Sequence, residues 1–186
     1  MRAAPIGLTW PGHYERITEV GIAQSFATHG HPCALAGSVA VAALVSMALE
    51  HERPARMLDR VIDLTADISD EFVAHLQRVP GALDRDPEDA WALLGEGWVA
   101  EEAVAGALYS LLRTPGDYRS TVLRAANTSG DSDSLACIAG AISGAYNGIE
   151  TIPREWRERI ERAEELRDVA RRLAGMTAHG RDAHAT

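Results

Sequence analysis

The chain has 186 residues, 46% of them hydrophobic and 24% charged, a globular composition at single-domain size. Acidic residues outnumber basic ones 27 to 18, and no basic run stands free of interleaved Glu, which excludes a nucleic-acid backbone as partner. All 18 basic residues are Arg, so the chemistry uses neither a Schiff-base lysine nor a P-loop lysine.

The periodicity is helical nearly throughout and predicts an all-α domain over residues 1–176. Met1–Pro11, with Pro5 and Gly7, reads as extended or loop and lacks the apolar run of a secretory signal. A helix follows from Tyr14 to about Thr28, broken by His29-Gly30-His31-Pro32. Pro32 suits the first turn of the next helix, whose Ala34–Leu49 run is the most apolar in the chain. It is short for a bilayer span and reads as a buried core helix, so no membrane partner is expected. Met57, Val61, Leu64 and Ile68 mark a helix from Pro54 towards Leu76. Pro80-Gly81 and Asp86-Pro87 bound a loop or short helix, and Trp98–Arg113 and Tyr118–Ala126 are helical. Asn127–Gly130 is a loop before a small-residue helix from about Asp133 to Asn147. A last helix runs from Pro153 to about Ala174, with Trp156, Ile160, Ala163, Leu166, Ala170 and Leu173 facing a core. Glu155 with Arg159, and Glu158 with Arg162, have the favourable i,i+4 order on its wet side. The polar tail, residues 177–186, is expected to be disordered. Cys33 and Cys137 have no CxxC partner and read as reduced, buried thiols of a cytoplasmic protein.

The densest chemical signal is Ser129-Gly130-Asp131-Ser132-Asp133-Ser134. Helix capping needs one such side chain. This segment has two carboxylates and a hydroxyl within four residues; the two like charges repel unless a cation sits between them, and hard cations take such oxygens. A calcium EF-hand fails, because its sixth and twelfth positions would be Ala136 and Ile142. Magnesium or manganese suits the donors better. Behind them Ala136, Gly140, Gly144 and Gly148 lie on one helix face, which lets a neighbouring helix approach closely.

This segment resembles the ADP-ribosylglycohydrolases, a family that includes the dinitrogenase reductase-activating glycohydrolase. The resemblance also takes in Met1–Leu8, Thr28-His29-Gly30-His31-Pro32, Gly97–Ala103 and Glu165–Val169. It implies an orthogonal multi-helix bundle holding two Mg2+ or Mn2+ ions. Water there cleaves the C1″ bond of an ADP-ribosyl group carried by a protein or a small derivative. On the matching positions Asp131, Asp133 and Ser134 are metal ligands, Asp133 nearest both ions, and His29 contacts the substrate.

The family's Gly-Asp-Ala-x-Gly segment, its Thr-Asp-Asp run and its Gly-rich phosphate loop have no counterpart in this sequence. Met1 therefore corresponds to an internal position of the usual domain. The chain is expected to carry the C-terminal half of the metal site and no identifiable catalytic residue. Weak turnover alone, an apolar face left open on Ala34–Leu49 and the glycine ladder, and self-association or pairing with an N-terminal half follow from that reading. A non-catalytic ADP-ribose- or metal-binding module, or one half of a split enzyme, stays open beside it. Outside the motif, His29 and His31 stand i and i+2 in a turn, a loose geometry for metal ligands. Glu101 and Glu102 read as first-turn, solvated acids, and Trp98 and Tyr146 as packing residues. His13, His51, His75, His179 and His184 read as surface.

Overall fold

In the computed structural model, which describes residues 1–182 and side chains through residue 175, every regular element among the described residues is helical. In chain order these are α1 (Ala4–Thr9), α2 (Tyr14–Phe26), α3 (Pro32–Leu49), α4 (Pro54–Thr65), α5 (Asp70–Leu76), α6 (Val79–Leu83) and α7 (Pro87–Leu94). They continue with α8 (Ala100–Arg113), α9 (Tyr118–Ala126), α10 (Ser132–Asn147), a 3-10 turn at Ile149–Thr151, α11 (Arg154–Arg159) and α12 (Ala163–Asp182).

The bundle is built around α3. Its composition would suffice for a membrane span, but 72% of it is buried inside the protein. Helices α1, α2, α4, α5, α8 and α10 all pack against it, so the predicted open apolar face on α3 does not occur. The α1 segment, predicted extended or loop, is helical because tertiary packing overrides its Pro and Gly. Pro5 sits in the first turn, where its missing N–H costs nothing, and Ile6 is buried. A Cβ on Gly7 would lie 2.1 Å from the Ala42 carbonyl oxygen, so only glycine permits this crossing of α1 over α3.

The helix predicted from Pro54 to Leu76 is two. Ser69 has extended backbone and its Oγ accepts the Phe72 N–H at 3.2 Å, which starts α5 with Asp70 and Glu71 in its first turn. The small residues of α10 serve close packing as expected: Cβ atoms on Gly140 and Gly144 would meet Tyr118 of α9 at 3.3 and 3.5 Å. Gly148 is not part of that ladder but the C-cap of α10.

The last predicted helix is also divided, since Ile160 turns extended and Arg162 has φ 59°. Its stripe does not face a core: Ile160 and Leu166 are 53% and 52% exposed. Its acids pair differently too, Glu155 with Arg119 and Glu158 with Arg154. The segment expected to be a disordered tail begins within α12, which runs to Asp182, while residues 183–186 lie outside the described residues. Cys33 is buried as expected, but Cys137 is exposed.

Candidate functional site

Four helix N-termini, those of α3, α5, α8 and α10, open onto one cleft of about 700 Å3. Each start is set by local chemistry. Asp131 is the N-cap of α10, its Oδ1 accepting the Ser134 N–H at 3.3 Å. The loop before it is pinned because the Asp131 N–H donates to the Glu96 carbonyl at 2.8 Å. Glu96 also accepts from the Trp98 indole at 3.1 Å and faces the Ser129 hydroxyl at 3.4 Å. On α8, Glu102 reaches back so that its Oε2 accepts the Gly97 and Trp98 N–H groups, at 3.0 and 3.3 Å.

The cleft gathers most of the residues singled out in sequence. Asp131, Ser134 and His29 all line it. Asp133 does not line it and is exposed. Its carboxyl is nevertheless hydrogen-bonded to that of Asp131. That bond, then those from Ser134, hold the Asp131 carboxyl below its ordinary range against the opposing effect of desolvation. Two carboxylates this close repel one another, and a divalent cation between them would relieve the repulsion. His29 is exposed, with Nδ1 2.9 Å from the Thr28 hydroxyl, which also accepts from Arg2 at 3.0 Å.

Sequence reasoning missed three features. Glu101, read as solvated, lines the cleft with Oε2 buried and without a hydrogen-bond partner. Capping falls to Glu102 alone, and the signal was there, since a capping box uses the third helical position. Trp98, read as packing, is 67% exposed along the cleft wall. His31, Cys33 and Glu71 bring an imidazole, a thiol and a carboxylate within 4.8 Å of one another. Cys33 Sγ lies 3.4 Å from Glu71 Oε2 and 3.3 Å from Ser69 Oγ, and burial pushes its thiol pKa up. Glu71 was invisible as a partner because it stands 38 residues from Cys33. Away from the cleft, His75 is not a surface residue: it is buried, and its Nε2 bonds the Leu94 carbonyl at 2.7 Å. Tyr146 packs edge-on against His51, as expected.

The family model for ADP-ribosylglycohydrolase matches residues 1–183. An uncharacterized protein of Archaeoglobus fulgidus is 32% identical over 93% of this chain and 56% of its own length. The human ADP-ribosylhydrolase ARH3 is 28% identical over the same shares of the two chains. A solved ADP-ribosylglycohydrolase-related protein complex superposes with TM-score 0.67 at 24% identity, over 92% of this chain and 57% of that one, which supports the fold. The chain thus spans about half the length of the curated relatives it matches. The family model covers nearly the whole chain, and the chain belongs to the ADP-ribosylglycohydrolase family.

Proposed function

We propose that this chain forms the metal-binding wall of a cytoplasmic ADP-ribosyl hydrolase site. Its substrate would be an ADP-ribosylated protein or a small ADP-ribose derivative. The observation that carries this reading is that Asp131 and Ser134 line one cleft together with His29, with Asp133 acting on the Asp131 carboxyl beside them. The donors are all hard oxygens, which fits Mg2+ or Mn2+. Asp131, Asp133 and Ser134 would hold the ions. When bound, such ions orient ribose hydroxyls and an attacking water and offset charge as the C1″ bond breaks.

The chain's own residues supply the remainder. Arg2 and His29 present N–H donors to phosphate or ribose oxygens. The unpartnered Glu101 oxygen accepts a hydrogen bond from a ribose hydroxyl, and the face of Trp98 offers an apolar surface to the base. Helix N-termini around the cleft favour a diphosphate.

A second reading, a binding module or one half of a two-chain enzyme, is favoured by the donor count, since three side chains leave an octahedral shell short. Calorimetric titration of Mn2+ into wild type and Asp133→Ala, with and without ADP-ribose, tests the metal wall. Saturable Mn2+ binding that strengthens with ADP-ribose and is lost in Asp133→Ala is expected. Equal heats for both proteins would refute the assignment. Release of ADP-ribose, assayed with and without the family's N-terminal segment, separates the two readings: the half-enzyme requires the added segment, and the binding module stays inactive with it.

A further inference from the structure

We propose that His31, Cys33 and Glu71 form a second metal site at the same cleft, for a thiophilic divalent ion of the zinc class. The site is distinct from the oxygen cluster on α10. One ring nitrogen of His31, Cys33 Sγ and a Glu71 oxygen all lie within 4.8 Å of one another, and the sulfur-to-carboxylate distance is 3.4 Å. In a tetrahedral zinc site with bonds of about 2.0–2.3 Å, neighbouring donors sit about 3.5 Å apart. The pair from α3 and α5 is therefore already at ligand spacing. His31 is exposed and closes the remaining gap by turning its side chain. Turning gives up the bond in which His31 Nδ1 accepts the Cys33 N–H at 3.3 Å and frees the ring to meet an ion.

The surroundings are those of a supported site. Cys33 is buried, which fixes the sulfur. The Ser69 hydroxyl at 3.3 Å orients it from outside, as outer-shell partners of metal ligands do. The Glu71 and Glu101 carboxylates both act on the Cys33 thiol, so two negative groups stand where a cation would sit. Sulfur and nitrogen donors select zinc-class ions over magnesium. Binding converts the Cys33 thiol to thiolate, its proton passing to solvent. Three protein ligands leave the fourth position for water or a ligand oxygen, and all three residues line the cleft.

The test is titration of Co2+, a zinc surrogate with a visible spectrum, into the full chain carrying Cys137→Ser to remove the exposed thiol. One equivalent should give thiolate-to-cobalt charge transfer and tetrahedral d–d bands, both bleached by Zn2+ and untouched by excess Mg2+. Cys33→Ser should abolish the charge-transfer band. Glu71→Gln, at an exposed position that does not threaten folding, should weaken Co2+ binding about tenfold or more. Asp131→Asn should leave the band intact, which separates this site from the oxygen cluster. Absence of the band, its survival in Cys33→Ser, unchanged affinity in Glu71→Gln, or its loss in Asp131→Asn would overturn the proposal.

Discussion

Gly130→Ala tests whether the loop before α10 is what places Asp131. A Cβ at Gly130 would lie 2.0 Å from the Glu96 carbonyl oxygen and 2.4 Å from the Glu96 Cβ. Carbon and oxygen in contact keep about 3.3 Å apart, so the loop and residue 96 must separate by about 1.3 Å. The obstacle on the other side is backbone, which cannot swing away as a flexible side chain would. That movement breaks the bond from the Asp131 N–H to the Glu96 carbonyl. Overpacking of this kind costs about 1–3 kcal/mol and the lost hydrogen bond about 1 kcal/mol, for about 2–4 kcal/mol together. The Asp131 carboxyl moves with its backbone, so Mn2+ affinity should fall about tenfold or more. Urea unfolding at constant m-value reads the first effect and calorimetry the second. Gly116→Ala is the matched control, because its Cβ would meet nothing within 4 Å, and it should be neutral or stabilising by up to about 1 kcal/mol. A Gly130→Ala protein within about 0.5 kcal/mol of wild type, with unchanged Mn2+ binding, would refute the reasoning.

Tyr109→Phe removes a buried hydroxyl that has no partner while keeping the edge contact to Trp91 at 5.4 Å. Stability in urea should hold or rise by about 1 kcal/mol. His75→Phe leaves the Leu94 carbonyl unpaired inside the bundle and should cost about 1–3 kcal/mol in the same assay. Hydrogen bonds from the Ser120 hydroxyl and N–H hold the Asp117 carboxyl below its ordinary range. A depressed folded pKa stabilises above the unfolded value of about 3.9, and that contribution is lost as pH falls through the folded value. The Tm difference between wild type and Asp117→Asn should therefore be largest above about pH 5 and shrink below about pH 4. Asp131→Asn keeps an oxygen for the α10 cap, whereas Asp131→Ala loses about 1 kcal/mol of it. Both should abolish Mn2+ binding, so calorimetry separates the ligand role from the capping role.

What could be read in the sequence and what could not divide along chain distance. The α10 start was legible because its cap, its carboxylates and its hydroxyl are contiguous. The α5 start was written in the same language, Ser69 followed by Asp70 and Glu71, but the apolar spacing of Met57, Val61, Leu64 and Ile68 ran through it and masked the break. Helix α1 was not legible, because its six residues gain their helix from burial against α3 and not from propensity. Nothing in Ile160-Glu161-Arg162 announces a break, since an Arg at positive φ has no sequence signature. Among site residues, Glu101 and Glu102 are neighbours whose side chains leave a helix about 100° apart. One therefore turns to the cleft while the other caps. The His31–Cys33–Glu71 group needs the packing of α3 against α5, which no local pattern encodes.

The cleft has a common physical origin for its structural and chemical residues. Acidic side chains favour helix N-termini because the free N–H groups and the macrodipole are positive there. Where four such termini converge, acids near the helix starts also line the cleft: Glu71, Glu101 and Asp131. Glu71 and Glu101 do no capping, which Ser69 and Glu102 supply. Asp131 uses Oδ1 for the Ser134 N–H, and that bond leaves Oδ2 unused by the cap. The dipoles that tolerate these carboxylates also favour a diphosphate once cations have neutralised them. A cleft lined by unneutralised acids would repel ADP-ribose. ADP-ribose affinity should therefore rise when Mn2+ is present, and calorimetry that finds equal ADP-ribose affinity with and without the ion would refute this.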